Sequence, residues 1–111
     1  MKNPTPRDLF PGALEMMILE SLRRQPAHGY ALVQHIQQRS NNLLQVEEGS
    51  LYPALQRVLA KKWVNAEWRE TPTKRKARYY TITAAGLKQL EGEMEGFKRM
   101  SSAIMRVIGQ T

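Results

Sequence analysis

Cysteine is absent from the 111-residue chain, which excludes disulfides, thiol nucleophiles and thiolate metal sites and fits a reducing, cytoplasmic setting. Histidine occurs only twice, at His28 and His35. These lie two helical turns apart, and no carboxylate on the same stretch is placed to complete a ligand set, so no metal site is expected. No apolar run approaches the ~20 residues of a membrane span, and the N-terminus lacks the apolar centre of a secretory signal. There is no nucleophile–base pair and no Gly-rich phosphate loop. The chain is therefore not read as an enzyme, and no cofactor is expected.

Acidic residues are also scarce, ten against 17 Lys and Arg, which leaves a formal net charge of +7. The excess is concentrated. Between Arg57 and Arg78, eight basic residues (Arg57, Lys61, Lys62, Arg69, Lys74, Arg75, Lys76, Arg78) stand against Glu67 and Glu70. Such a cluster is either a solvated basic surface or, the reading preferred here, a surface for a polyanion. The length suits one domain with a modest core, which a second chain sharing apolar surface would help to stabilise.

The run Glu48-Gly49-Ser50-Leu51-Tyr52-Pro53-Ala54-Leu55-Gln56-Arg57-Val58-Leu59-Ala60-Lys61-Lys62-Trp63 organises the rest. Leu51, Leu55, Val58 and Leu59 recur at helical spacing and form an apolar face. Ser50, Pro53, Ala54, Arg57 and Lys61 follow the same spacing on the opposite face, small at the start and basic further along. Ser50 is placed to cap the helix start, and Pro53 to sit in the first turn, where a missing N–H costs little. A helix of this make fits a DNA major groove by its N-terminal end.

In chain order, residues 1–8 read as a flexible arm. A first helix runs from about Leu9 to Arg24, with Pro11 in its first turn and Leu14, Met17, Ile18 and Leu22 on one face. A second opens at His28-Gly29-Tyr30 and runs to about Arg39, with Leu32, Val33 and Ile36 inward; Tyr30 either offers its hydroxyl to a phosphate or buries its ring. Residues 40–47 link it to the central helix, the order of a helix-turn-helix. After Trp63 the period falls from 3.6 to 2, with Val64, Ala66 and Trp68 reading as the buried side of a strand. The loop Thr71-Pro72-Thr73-Lys74-Arg75-Lys76-Ala77 leads to a returning strand, Arg78-Tyr79-Tyr80-Thr81-Ile82. This hairpin is expected as a wing whose Lys74, Arg75 and Lys76 reach phosphate or the minor groove.

The last element, capped by Thr83, carries Leu87, Leu90, Met94, Phe97, Ser101, Ile104 and Ile108 at spacings of 3, 4, 3, 4, 3 and 4. That is an a/d seam with one polar member. With Leu14 and Met17 it is expected to form a homodimer interface. Gly92 and Gly96 permit either close approach or a bend. The expected fold is mainly α with a small β-hairpin (α+β): a winged helix-turn-helix over 9–83 and a C-terminal dimerisation helix over 84–111.

Several motifs resemble the PadR family of bacterial transcriptional regulators: Pro11-Gly12-Ala13-Leu14-Glu15 with Ile18-Leu19, His28-Gly29-Tyr30, Gly49-Ser50-Leu51-Tyr52-Pro53-Ala54-Leu55-Gln56-Arg57, Glu67-Trp68, and Arg78 to Gly86. The short last helix is similar to the small PadR subgroup. The resemblance implies a homodimeric repressor on inverted-repeat double-stranded DNA, with Ser50, Tyr52, Pro53 and Arg57 at the DNA surface and Lys74, Arg75 and Lys76 on the wing. Tyr30 and Lys61 complete the expected contact set. It also implies a small hydrophobic or aromatic effector between the terminal helices, near Met94, Phe97 and Met100, with Phe97 as seam packing the other reading. The family often carries Gly after the third helix where Lys62 stands, so a differently built turn is expected there. The rival readings are a protein-interaction winged helix and a non-specific DNA binder.

Overall fold

The computed structural model describes residues 12–109. Its elements are α1 (Ala13–Arg24), β1 (Ala27–His28), α2 (Gly29–Arg39), α3 (Glu48–Ala60), β2 (Val64–Glu70), β3 (Lys76–Ile82) and α4 (Ala84–Val107). The expected arm over 1–8, and the stretch from Leu9 to Pro11, lie outside the described residues. Four helices and a small antiparallel sheet give the expected α+β class, but the sheet has three strands in the order β1-β3-β2. The added strand is Ala27 and His28, paired with Tyr80 and Tyr79. Two residues carry no periodicity, so this strand has no signature of its own.

The core is built where the helical faces meet. Ile18 and Leu19 of α1, Leu32 of α2, and Leu51, Leu55 and Val58 of α3 are fully buried, and Val64, Tyr80 and Leu90 close the cluster. Ala54 is also fully buried, which corrects its assignment to the outer face of α3. It lies three residues after Leu51 and four before Val58, so it belongs to the same face. A methyl side chain adds too little hydrophobicity to declare its side in a sequence.

The ends of α3 also differ from expectation. Glu47, not Ser50, is the N-cap. Its extended backbone (φ −85°, ψ 147°) makes no side-chain cap bond, and its carbonyl accepts the N–H groups of Ser50 and Leu51, both at 3.0 Å. The helix therefore starts three residues earlier, and Pro53 falls in its second turn. Proline leaves the carbonyl of Gly49, four residues back, without a helical partner. Both Gly49 and Pro53 are exposed, so solvent can reach that carbonyl.

At the other end, Lys62 takes the left-handed conformation (φ 62°). Trp63 N–H donates to the Val58 carbonyl and Lys62 N–H to the Leu59 carbonyl, each at 3.0 Å, the bond pair of a Schellman cap. The turn is thus built as a glycine would build it, with lysine bearing the strain. The α2 end is made the same way. Asn41 and Asn42 have positive φ, and their N–H groups donate to the carbonyls of Gln38 and Gln37 at 3.1 and 2.8 Å. Asparagine tolerates this region better than lysine does.

α4 is locked onto that α3–β2 turn. Thr83 Oγ1 accepts the Gly86 N–H at 3.0 Å and donates to the Lys62 carbonyl at 2.8 Å, while Thr83 N–H donates to the Trp63 carbonyl at 3.0 Å. A Cβ on Gly86 would stand 2.1 Å from the Trp63 oxygen, so only glycine allows this approach. One turn on, Leu90 is 1% exposed inside the common core. The first half of α4 therefore belongs to the winged domain, and its second half runs outward.

Two substitutions at this corner should move stability in opposite directions. Gly86→Ala should lower unfolding free energy by about 1–3 kcal/mol, the usual penalty of overpacking. Lys62→Gly should raise it by roughly 0.5–1 kcal/mol, because relief of left-handed strain exceeds the added chain entropy. Thermal melts at one fixed protein concentration check both, and a lower melting temperature for Lys62→Gly would contradict the strain assignment.

Candidate nucleic-acid interface

Burial of one face of α3 turns the other outward. Tyr52, Pro53, Gln56 and Arg57 are exposed along it, Ser50 is half-buried, and Lys61 is exposed just past its end. Gln56 is an addition to the expected contact set. Its place four residues after Tyr52 is the signal in the sequence, and an exposed amide there is of the kind that pairs with adenine edges.

Tyr30, at the start of α2, is 59% exposed, which settles its open orientation in favour of the surface. Tyr52, 46% exposed, packs against the neighbouring Gly29: a Cβ there would lie 3.0 Å from the Tyr52 hydroxyl. The small residue thus lets Tyr52 cross the start of α2 and brings the two tyrosines to one corner. His28 sets that corner by accepting the Ala31 N–H on Nδ1 at 3.2 Å and by meeting the Tyr79 ring edge-on, with centroids 5.2 Å apart. The imidazole acts as a helix cap.

Arg57 is not displayed alone. Its guanidinium donates to Glu15 Oε1 of α1 at 2.6 Å across the helix pair. Lys61 extends over the Trp63 ring, its ammonium 4.7 Å from the centroid.

The wing carries its cations on a closed turn. Lys74 N–H donates to the Thr71 carbonyl at 2.8 Å, Thr71 N–H to the Arg75 carbonyl at 2.7 Å, and Arg75 N–H to Thr71 Oγ1 at 3.2 Å. Pro72 supplies the second position of that turn, its preferred place. Lys74 is left-handed (φ 64°). Lys74, Arg75 and Lys76 are all exposed. Arg69 is turned elsewhere: it pairs with Glu67 and lies 5.4 Å from the Tyr79 ring centroid.

Away from this surface, the residues expected at a dimer seam divide. Leu14 and Leu90 are buried in the chain's own core and leave almost no side-chain surface for a second copy. Met17 and Met94 are half-buried against the same core. Leu87, Phe97, Ile104 and Ile108 are exposed, together with Met100, Met105 and Val107. Met16, Met17, Ile36, Leu44, Met94 and Phe97 line an apolar groove of about 350 Å³ between α1, α2 and α4, with Arg24, Arg39 and Lys98 at its edge. Glu20 is also there, and its hydrogen bonds from Arg23 at 2.6 and 2.9 Å hold its carboxyl below the usual carboxylate range. Met100 lies on a smaller neighbouring hollow with Met16, Gly96 and Phe97.

A helix-turn-helix followed by a two-stranded wing, with cations on both, defines a winged-helix DNA-binding regulator. The chain belongs to the PadR-like family of transcriptional regulators, whose profile matches residues 18–92. It is a regulator and not an enzyme. An uncharacterized protein of Lysinibacillus sphaericus is 33% identical over 79 residues, which span 71% of this chain and 72% of that one. Two crystal structures share the fold. A PadR family regulator from Eggerthella lenta is 27% identical with a TM-score of 0.76, covering 90% of this chain and 85% of its own. A PadR-like regulator from Bacillus cereus is 28% identical with a TM-score of 0.75, covering 90% and 95%.

The Glu15–Arg57 pair can be opened without harm to the fold. An exposed ion pair contributes at most about 1 kcal/mol to stability, so Glu15→Gln should leave the structure intact. It should also release Arg57 toward phosphate and steepen the slope of log affinity against log salt by about 0.9. Titration of labelled duplex at several salt concentrations checks this, and an unchanged slope would show that Arg57 stays off the backbone.

Proposed function

We propose that the chain binds inverted-repeat operator DNA as a homodimer in the cytoplasm and represses by occluding polymerase. Two α3 helices enter successive major grooves about one helical turn, ~34 Å, apart. Ser50, Tyr52 and Pro53 lie at the groove wall. Tyr30, Arg57 and Lys61 engage the backbone or base edges, and the Lys74, Arg75 and Lys76 tips hold flanking phosphates. The observation that carries this reading is the sorting of the surface. Exposed Tyr30 and Tyr52 share the start of α2 and the α3 surface with Arg57 and Lys61, and Lys74, Arg75 and Lys76 crowd the wing tip, whereas the outer half of α4 exposes Phe97, Met100, Ile104 and Ile108 interspersed with Lys98, Arg99 and Arg106.

The second copy is supported by that apolar run. A soluble monomer rarely leaves so many large apolar side chains together in water, and the outer members keep the a/d spacing that another helix would cover. The groove at Met94 and Phe97 supports release by a small aromatic effector that changes the tilt between terminal helices. Its methionines adapt to ligand shape.

Genomic fragments retained by the purified protein at physiological salt should share an inverted repeat, and unrelated duplex should fail to displace them. Equal displacement by unrelated duplex would identify a non-specific binder, and no retained fragment at all would favour a protein-interaction role. Sedimentation should give twice the chain mass; a stable monomer would remove the paired mechanism. Replacing Lys74, Arg75 and Lys76 by Ala should flatten the salt dependence by about 0.9 for every phosphate no longer neutralised, and an unchanged slope would exclude the wing.

A further inference from the structure

Trp68 departs from the pattern of its strand. Alternation places it on the buried side with Val64 and Ala66, yet it is 69% exposed. The register explains why. Val64 pairs with Ile82 and Ala66 with Tyr80 over the helical core, whereas Trp68 pairs with Arg78 and Glu70 with Lys76 beyond its edge. The strand keeps its alternation after the core has ended, so the indole projects from the wing's inner face and stays largely exposed among the described residues.

Its cross-strand neighbours are cationic. Arg78 is directly opposite, and its guanidinium leans back to within 6.0 Å of the Tyr80 ring centroid, which leaves the indole plane uncovered. Lys76 lies one pair further out on the same face, and the Lys74–Arg75 tip follows. An exposed apolar plane with Arg78 and Lys76 along its cross-strand side, and Glu70 set against Lys76, suits a partner that is anionic on its outside and offers flat apolar surface within. Duplex DNA is that partner, with phosphates along its rim and deoxyribose and base edges in the minor groove.

We propose that Trp68 is an apolar DNA contact of the wing, its indole lying against the sugars and base edges of the minor groove beside the site entered by α3. The inference rests on the DNA-binding reading above. It adds a contact whose energy comes from excluding water and not from neutralising charge, so it is separable from the lysine and arginine contacts by its salt behaviour. Aromatic and apolar side chains in the minor groove act in this way.

The test uses the full chain carrying Trp63→Phe, so that Trp68 is the sole indole. Labelled operator DNA reports binding by anisotropy, independently of the protein's own emission. On binding, Trp68 emission should be quenched and its accessibility to acrylamide should fall sharply. Trp68→Ala should weaken binding about tenfold, the size of an aromatic contact removed by alanine, with the salt slope unchanged; Trp68→Phe should retain most of the affinity. Binding reported by the label with Trp68 emission and accessibility unaltered would overturn the proposal while leaving the DNA reading intact. A fall in acrylamide accessibility on raising protein concentration without DNA would also overturn it, since a second copy would then cover the indole. Absence of any anisotropy change would instead defeat the DNA reading itself.

Discussion

Leu51, Ala54, Leu55 and Val58 have no solvent exposure, and that one buried face decides where the rest of α3 looks. Each large member contributes about 1.5–3 kcal/mol through removal from water. Rotating the helix by even one position would bring Gln56 or Tyr52 into the core and expose leucine. The outward row from Ser50 to Arg57 is therefore fixed by what it is not. α1 and α2 supply the apolar faces that α3 packs on, and the hairpin follows from the turn at Lys62 and Trp63 that ends α3.

That turn is where the domain is joined. The α3 cap, the start of β2 and the start of α4 share the Lys62 and Trp63 carbonyls, both bonded by Thr83. Gly86 makes the approach sterically possible. Because Leu90 continues this packing into the core, the direction in which the outer half of α4 leaves is set by the same corner that holds α3. In the proposed mode, the spacing of two reading helices in a dimer depends on that angle. An effector in the groove between α1, α2 and α4 would act on it directly, and α1 also touches the α3 surface through Glu15 and Arg57.

The large features of the fold are readable in the sequence and the small ones less so. Strong periodicity announces four helices and a hairpin, and Leu51, Leu55 and Val58 name the buried side of α3 correctly. Ala54 escapes that reading because a methyl group gives little sign of its side. The start of α3 escapes it because a serine side chain can cap, but here the Glu47 carbonyl takes the role. Lysine at position 62 argues against a left-handed turn; the gain from the Schellman bonds and from docking α4 exceeds a strain of about 1–2 kcal/mol. Trp68 reads as inward because alternation says which residues share a face and not how far the core extends beneath it. For the a/d repeat of α4, spacing does not tell packing within the chain from packing between chains. Leu90 is used internally, whereas Ile104 and Ile108 remain outside.

Hydroxyl-radical footprinting on a retained operator fragment tests the central claim most directly, because it reads the geometry of two reading helices on one duplex. The account predicts two symmetric protected tracts centred about one helical turn apart, each flanked by minor-groove protection from a wing. A single tract, or uniform protection along the fragment, would contradict it.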